Sequence, residues 1–268
     1  MSQDQSSESP AVPEGGHGQK GSTRAQARTA VVWQVLKEAL DRQAKAGPSP
    51  VLDVLDTGGG TGNFAVPIAA LGHRVTVVDP SPNALFGLQR RAAEAGVAER
   101  VRGVQGDAHG LFEVVERGGY DAVLCHGVLE YVDDPAEGMR NAVAALRPAA
   151  GTLSVLAAGV GGAVLSRALA GHFTAARRAL TSPEGSWGGS DPVPRRFTPG
   201  QLRDLVRAEG LEIAAVHGVR IFSDLVPGGL AEQEAGALEA LLELELAAAE
   251  SPAFQAVASR LHLLAVRG

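Results

Sequence analysis

The chain of 268 residues contains one cysteine, Cys125, and only 4% of its residues are aromatic. A single cysteine excludes an internal disulfide framework and a metal cluster held by several thiolates. No apolar run approaches the roughly 20 residues that a membrane-spanning helix needs, and the polar N-terminus lacks the pattern of a signal peptide. These absences predict a cytoplasmic protein with no membrane segment and no bound metal.

Lysine is also scarce, because only Lys20, Lys37 and Lys45 occur and all three precede the first expected core strand. A phosphate-binding loop of the Walker A type requires a lysine directly after its glycines, so that loop is excluded. A short-chain dehydrogenase would need a tyrosine–lysine pair after its fourth strand, and no lysine is available there. The net charge of −6 argues against general nucleic-acid binding.

Glycine, by contrast, is concentrated directly after the first expected strand. This strand covers residues 51–56 and ends in an acid, Asp56, and a helix is expected to begin near Asn63. The intervening glycines are Gly58, Gly59, Gly60 and Gly62. Glycine is needed where backbone approaches a ligand closely or turns with positive φ, and a helix start offers free N–H groups. The turn therefore predicts a site for a nucleoside-like ligand at the carboxyl end of a parallel sheet.

Two cofactors compete for this loop. Gly60 to Ala65 fits the dinucleotide fingerprint G-x-G-x-x-A, with an acid after the next strand at Asp79. The overlapping pattern from Asp56 to Gly62 fits the loop of class I methyltransferases, which bind S-adenosylmethionine. An acid would repel a pyrophosphate but attract the ammonium group of S-adenosylmethionine, so the sequence favours methyl transfer over hydride transfer. A nucleoside-binding domain without catalysis is the alternative from a different class.

The order of elements predicts the fold. Strands and helices alternate with short connections that are rich in Gly, Pro, Asp and Asn, as right-handed βαβ units require. We expect a doubly wound, mostly parallel, seven-stranded Rossmann-like sheet in a domain spanning residues 23–268, after a disordered tail at 1–22. Inserts are expected near 159–199 and 228–258. The main expected strands are 51–56, 74–79, 101–104, 121–125, 152–158, 211–217 and 260–266, and the main helices are 25–45, 63–71, 82–95, 135–146, 199–209 and 230–250.

The first insert carries an unusual charge. Between Gly159 and Ala208, seven arginines stand against three acids, whereas the stretch from Gly228 to Ser251 has six glutamates and no basic residue. A basic insert on an acidic chain indicates an anionic substrate or a strand of RNA. A solvated arginine-rich surface is the alternative interpretation.

Short segments outside the glycine loop carry a more specific likeness. They are Gly21-Ser22-Thr23-x-x-Gln26-x-Arg28, His126-x-Val128-Leu129-Glu130-Tyr131, Gly171-His172-Phe173 and Gly218-Val219-Arg220-Ile221-Phe222-x-Asp224. With the glycine loop, they make the chain similar, from about Gly21 to its end, to the bacterial tRNA methyltransferases that esterify 5-carboxymethoxyuridine at the wobble position. The resemblance implies the class I methyltransferase fold and S-adenosylmethionine as the cofactor.

The resemblance also implies roles for individual residues around the methionine part of the cofactor. Arg28 would hold the methionine carboxylate through a bidentate pair, and Asp56 would meet the ammonium group. The backbone of the loop, at Gly58, Gly59 and Gly60, would line the methionine moiety. His126, at the end of the fourth strand, would lie near the sulfonium, although a packed core histidine is the alternative.

Further residues are implied for the adenosine part. Asp79 would accept hydrogen bonds from the ribose hydroxyls, or else cap the helix that follows. Ala108 and His109 would lie at the adenine, and Asp107 would accept from the adenine amino group or serve only as a turn residue. Arg220 is either a clamp for a substrate carboxylate or a partner in a surface salt bridge.

The methyl acceptor is left open between two classes. One is a modified uridine in tRNA, and the other is a small acidic molecule. A carboxylate is already ionised at neutral pH and needs no general base, which agrees with the lack of an evident base in the sequence. No catalytic residue is therefore assigned.

Overall fold

The computed structural model describes residues 17–226 and 236–268, with side chains from residue 29 onward. Its described strands form one seven-stranded sheet in the order β3-β2-β1-β4-β5-β7-β6. The strands are β1 Asp53–Thr57, β2 Arg74–Asp79, β3 Val101–Gln105, β4 Ala122–His126, β5 Thr152–Ala158, β6 Glu212–Val219 and β7 Arg260–Val266. Only β7 runs antiparallel to its neighbours, β5 and β6. The predicted doubly wound fold is confirmed.

Helices cover both faces of this sheet. They are α1 His17–Ala46, α2 Ala65–Ala70, α3 Pro82–Glu94, α4 Leu111–Val114, α5 Pro135–Ala145, α6 Val160–Leu169, α7 Phe173–Thr181, α8 Pro199–Ala208, α9 Ala237–Ala249 and α10 Pro252–Gln255. No helix in the described part of the chain is both long enough and apolar enough to cross a membrane.

Three of the helices begin at a capping side chain followed directly by proline. Ser81 accepts from the N–H of Ala84, Asp134 from that of Ala136, and Thr198 from that of Gln201. These oxygens satisfy N–H groups that a helix start leaves unpaired, and proline at the next position loses no helical hydrogen bond. The starts of α3, α5 and α8 are therefore fixed locally by sequence.

Aliphatic side chains form a core on each face of the sheet. On one face, Leu36 and Leu40 of α1 and Leu88 of α3 pack with the strands at the centre of the sheet. On the other face, Met139 of α5 and Leu202 of α8 are buried with β4, β5 and β7. Burial of such side chains contributes roughly 1.5–3 kcal/mol each.

The structure departs from the expected elements at several places, and two short helices, α4 and α10, were not predicted. The first helix begins at His17 rather than Ala25, so it starts inside the segment expected to be a tail, and residues 1–16 lie outside the described residues. Residues 159–199 contain two unpredicted helices, α6 and α7, because their many small residues obscured the helical period. The helix expected over 230–250 is described from Ala237, and its earlier part lies outside the described residues.

The parallel strands place their ends on one side of the molecule. Because β6 is antiparallel to β7, and β7 to β5, the strand β6 runs parallel to β5. The carboxyl ends of β1 to β6 therefore meet at one side of the sheet, which we call the carboxyl edge. In open sheets of this kind, ligands bind in the crevice outside that edge.

Candidate functional site

A cavity of about 490 Å³ lies at the carboxyl edge, where β1, β2, β3 and β4 end. Its lining includes five of the residues predicted from sequence to bind the cofactor, which are Gly58, Asp79, Asp107, Ala108 and His109. Gly127 and Val128, which follow β4, complete the opposite wall. The fold thus brings residues that are far apart in the sequence to one crevice of a size suited to a small ligand.

Three of the four glycines in the loop have no room for a side chain. A Cβ on Gly58, whose φ is +67°, would lie 2.7 Å from Val128, and one on Gly59 would lie 2.5 Å from a carboxylate oxygen of Asp56. A Cβ on Gly62 would lie 2.3 Å from Leu88 of α3. Glycine is therefore required both by packing and by backbone conformation, which keeps bare backbone at the cavity wall.

Asp56 lies beneath the loop in a setting that disfavours its charge. The residue is 1% exposed, and its Oδ1 is buried without a hydrogen-bond partner. Burial, and secondarily the charge of Asp79, raises the pKa of this carboxyl to about 7. A cationic group such as an ammonium would stabilise the carboxylate, so the unpartnered oxygen fits the methionine end of S-adenosylmethionine.

Asp79 ends β2 and is held by two backbone groups. Its Oδ2 accepts from the N–H of Gly60 at 2.9 Å, and its Oδ1 accepts from the N–H of Ser81 at 2.9 Å. The carboxylate thus ties the glycine loop to the turn before α3 and still borders the cavity. The position is compatible with both roles that the sequence suggested, a ligand for hydroxyl groups and a support for the helix start.

The loop after β3 forms the next part of the wall. Oδ1 of Asp107 accepts from the N–H groups of His109 and Gly110, at 2.9 and 2.8 Å, which closes a tight turn. The side-chain amide of Asn141 on α5 donates to the carbonyl of Ala108 at 2.9 Å. No sequence motif identifies Asn141 as part of the site, because its contact depends on the packing of α5 against this loop.

His126 ends β4 and lies close to the glycine loop. Its ring meets the ring of Phe64 edge to face, with centroids 4.7 Å apart, and its Nε2 lies 2.8 Å from Oγ of Ser154. Burial lowers the pKa of the imidazole to about 3, so the ring is neutral at physiological pH. Its Nδ1 is buried and has no hydrogen-bond partner.

Glu130 is a structural anchor that sequence reasoning left without a role. It is 1% exposed, and its Oε1 accepts from the N–H of Ala158 at 2.8 Å and from Nη1 of Arg260 at 2.9 Å. The loop after β4 is thereby fixed to the end of β5 and the start of β7. Burial raises the pKa of Glu130, while the charge of Arg260 opposes that shift.

Arg220 follows β6 in a conformation that is rare for a long side chain, with φ of +58°. Three neighbouring backbone N–H groups, those of Ile221, Phe222 and Ser223, donate to the buried carboxylate of Glu245 on α9. The guanidinium of Arg220 itself pairs with Oδ1 of Asp224 at 2.9 Å. The salt-bridge interpretation of Arg220 is therefore realised, in a loop held by Glu245.

The remaining predicted residue, Arg28, lies in α1, but its side chain is outside the described residues. Within residues 17–226 and 236–268, no group of three or more His, Cys, Asp or Glu side chains could hold a metal ion.

Comparison with known proteins identifies the family of the chain. A family model described as "Methyltransferase domain" matches residues 55–153. The chain is 32% identical over 225 residues to the tRNA 5-carboxymethoxyuridine methyltransferase of Escherichia coli K12, which covers 84% of this chain and 82% of that protein. It is also 32% identical over 176 residues to a ubiquinone biosynthesis O-methyltransferase of Methylobacterium nodulans, covering 64% of each.

Solved structures support the fold at low sequence identity. The magnesium protoporphyrin IX methyltransferase of Synechocystis, solved with bound S-adenosylhomocysteine, aligns with a TM-score of 0.56 at 17% identity, over 91% of this chain and 86% of that one. A glycine cradle, a buried acid and a strand-end acid thus stand in a class I methyltransferase fold that uses S-adenosylmethionine. The chain belongs to the family of S-adenosylmethionine-dependent methyltransferases that includes the E. coli tRNA 5-carboxymethoxyuridine enzyme.

Proposed function

We propose that this methyltransferase esterifies the carboxylate of a modified wobble uridine in tRNA. The relationship to the E. coli enzyme over most of both chains carries the proposal. A surface on the first insert, described below, supports it. Methyl transfer to a small acidic molecule, the other acceptor that the sequence left open, is the alternative outcome of the test.

We assign the cofactor to the cavity at the carboxyl edge. Asp56 would bind the ammonium group, Gly58, Gly59 and Gly60 would contact the methionine part by backbone, and Arg28 would pair with its carboxylate. Asp79 would accept from the ribose hydroxyls, with Asp107, Ala108 and His109 at the adenine. S-adenosylmethionine supplies a methyl group that is activated by its sulfonium charge.

Methyl transfer to a carboxylate requires little of the protein beyond the positioning of donor and acceptor. A carboxylate acceptor is ionised at neutral pH, so no residue has to remove a proton from it. The neutral ring of His126 agrees with this, because its low pKa makes it a poor base at physiological pH. The protein's contribution is to hold donor and acceptor in line and to exclude water.

The insert offers a surface suited to nucleic acid on α7. Phe173, Arg177 and Leu180 lie at helical spacing on one face, and all three are exposed, Phe173 by 70% and Leu180 by 65%. Arg178 is exposed beside them and borders a cavity of about 510 Å³ together with Trp187. Exposed aromatic rings next to arginines stack bases and contact phosphates.

Not every arginine of the insert is free to bind a substrate. Arg196 is 6% exposed and paired with Asp191, Arg203 bonds to Gln255, and Arg167 stacks on Trp187 at 4.0 Å. Nη1 of Arg195 donates to the carbonyl of Val132, which lines the cofactor cavity, at 2.8 Å. The exposed arginines with no ion pair within the described chain are therefore Arg177 and Arg178 on α7 and Arg207 on α8.

Complementation tests the acceptor directly. The chain is expressed in an E. coli strain that lacks its own tRNA 5-carboxymethoxyuridine methyltransferase, and tRNA nucleosides are measured by mass spectrometry. We expect the methyl ester to return with the wild-type chain and not with Asp79→Ala. If the expressed protein binds S-adenosylhomocysteine but restores no ester, the tRNA acceptor is wrong, and labelled methyl groups in small acids of the lysate would identify the alternative.

A second experiment tests the α7 surface. The double variant Arg177→Ser/Arg178→Ser should weaken tRNA binding, while affinity for S-adenosylhomocysteine is unchanged. The slope of log affinity for tRNA against log salt concentration should fall by the amount expected for about two phosphate contacts. Arg203→Ser, which removes an arginine already bonded to Gln255, is the control for loss of charge alone. Equal effects of both variants on the salt slope would contradict the assignment of the surface.

A further inference from the structure

A line of polar side chains crosses the sheet from the carboxyl edge to the surface. Oγ of Ser154 lies 2.8 Å from Nε2 of His126 and 2.9 Å from Nε2 of His262. Nδ1 of His262 then lies 3.4 Å from Nδ1 of His217, and Nε2 of His217 lies 3.8 Å from Oε1 of Glu250. The first four side chains are partly or fully buried, and Glu250, directly after α9, is 83% exposed.

The register of the sheet creates this line. His126 of β4 pairs with Leu156 of β5, Leu156 pairs with His262 of β7, and His262 pairs with His217 of β6. Residues in register on neighbouring strands share a face, and Ser154, two residues before Leu156, lies on that face as well. Three histidines from distant parts of the chain thus occupy one row.

Burial favours the neutral form of all three imidazoles, which carries a single proton. Burial lowers the pKa of His126 and of His262, and it also lowers that of His217, although the charge of Glu250 opposes the last shift. Each neutral ring has one N–H donor and one bare nitrogen acceptor. Each hydrogen bond from His126 through Ser154 and His262 to His217 needs one donor and one acceptor, so the tautomer of one ring determines that of the next. The contact between His217 and Glu250, at 3.8 Å, acts through charge alone.

The carboxylate of Glu250 selects the direction of this line. A negative oxygen near Nε2 of His217 favours a proton on that nitrogen, which leaves its Nδ1 bare. Nδ1 of His262 must then donate, so its Nε2 is bare and accepts from the Ser154 hydroxyl. Ser154 in turn accepts from Nε2 of His126. The only consistent result is a bare Nδ1 on His126.

At the His126 end of the line, one ring nitrogen makes no hydrogen bond within the described residues. Nδ1 of His126 is buried with no partner. The next two residues along the chain, Gly127 and Val128, line the cofactor cavity, and the His126 ring packs edge to face against Phe64 after the glycine loop. A bare nitrogen presents a partial negative charge, which suits the sulfonium and its methyl group, whereas an N–H would direct a positive charge at them.

We propose that Glu250 is a positioning residue that fixes the tautomer of His126 through His217, His262 and Ser154, so that Nδ1 of His126 presents a lone pair to the cationic methyl donor. The proposal rests on the cofactor site proposed above, and it does not depend on the identity of the methyl acceptor. It gives a role to a surface carboxylate that touches neither cofactor nor acceptor.

Nitrogen NMR of the ligand-free protein tests the tautomer without reference to activity. In protein labelled with ¹⁵N-histidine, two-bond proton–nitrogen correlations distinguish a bare nitrogen from a protonated one, and His126→Gln identifies the His126 signals. We expect protonated Nε2 and bare Nδ1 in the wild type, and a mixture of both tautomers in Glu250→Ala. Glu243→Ala, which removes another exposed carboxylate of α9, should leave the signals unchanged.

The catalytic consequence is measured on the same variants. Glu250→Ala should lower kcat roughly three- to tenfold with little change in the KM for acceptor, and Glu243→Ala should not. A protonated Nδ1 on His126 in the wild type, or unchanged signals in Glu250→Ala, would overturn the tautomer assignment. A shifted tautomer with unchanged kcat and cofactor affinity would overturn the role given to the lone pair.

Discussion

The backbone N–H of Gly60 donates to Oδ2 of Asp79 at 2.9 Å, so the glycine loop after β1 is tied to the acid that ends β2. The two residues are 19 positions apart, and the contact joins two neighbouring strands at the wall of the cofactor cavity. One carboxylate therefore holds the loop in place and borders the cavity, where we propose that its remaining lone pairs accept from a ligand.

Replacing Asp79 should weaken cofactor binding, because the residue both anchors the glycine loop and accepts hydrogen bonds from the ligand. Asp79→Ala removes the anchor of the loop and an acceptor for ribose hydroxyls, so we expect affinity for S-adenosylhomocysteine to fall by at least about tenfold, or about 1.4 kcal/mol, in calorimetric titration. Asp204→Ala, at an exposed position of α8, is the matched control. Wild-type affinity in Asp79→Ala would contradict the assigned site.

The ionisation of Asp56 should make cofactor binding depend on pH. Because its pKa lies at about 7 in the ligand-free protein, the carboxyl is protonated below that value and cannot pair with an ammonium group. Affinity for S-adenosylhomocysteine should therefore rise from about pH 6 to about pH 8, by up to tenfold per pH unit below the pKa. Asp56→Asn should bind more weakly at about pH 8 and lose this dependence.

The ionisation of Asp56 should also make the stability of the folded protein depend on pH, and this effect is the control for the binding experiment. Its folded-state pKa is above the unfolded value of 3.8, so the folded form binds more protons between the two and stability falls as pH rises through this window. Urea unfolding of the ligand-free protein should show Asp56→Asn gaining stability relative to wild type at about pH 8 compared with about pH 4. An unchanged difference across that range would mean that Asp56 is ionised throughout.

Gly59→Ala should damage the loop, although it adds only one methyl group. Its Cβ would lie 2.5 Å from Oδ2 of Asp56 and 2.9 Å from Val77, so backbone or carboxylate must shift. We expect loss of measurable cofactor binding and a lower melting temperature. Gly189→Ala has open space around the new Cβ and should change neither quantity, which separates crowding from a general effect of replacing glycine.

Glu245 should be essential for the stability of the loop after β6. Its carboxylate is 1% exposed and accepts from three backbone N–H groups, at 2.8, 2.9 and 3.0 Å. In Glu245→Gln an NH2 group replaces one carboxylate oxygen and faces a backbone N–H donor. We therefore expect the free energy of unfolding in urea to fall by about 2–4 kcal/mol. Glu243→Gln on the exposed face of α9 should change stability by less than about 0.5 kcal/mol.

Local rules account for what could be predicted. The apolar strands and the short turns between them, rich in Gly, Pro, Asp and Asn, identified the βα order. The helices α6 and α7 were missed because Gly and Ala dilute the apolar period on which such predictions depend. The glycine loop was identified because its spacing is a direct constraint on backbone conformation.

Interactions across the sheet could not be predicted in this way. Sequence reasoning gave Ser154, His217 and His262 no role in the site, because their proximity depends on the register of β4 to β7. The raised pKa of Asp56 likewise results from burial beneath the loop and from the nearby charge of Asp79, neither of which a motif contains. The surplus of arginines in the insert was counted correctly, but only folding decides which of them are already paired.

The sequence by itself determined the fold class, the glycine cradle and the choice of cofactor, because each depends on residues close together along the chain. Tertiary structure decided the rest. It set the ionisation of Asp56, the tautomers along the line from Glu250 to His126, and the arginines left exposed on α7. Burial, electrostatic coupling and strand register act between residues that are distant in the chain, so they exist only once the sheet is formed.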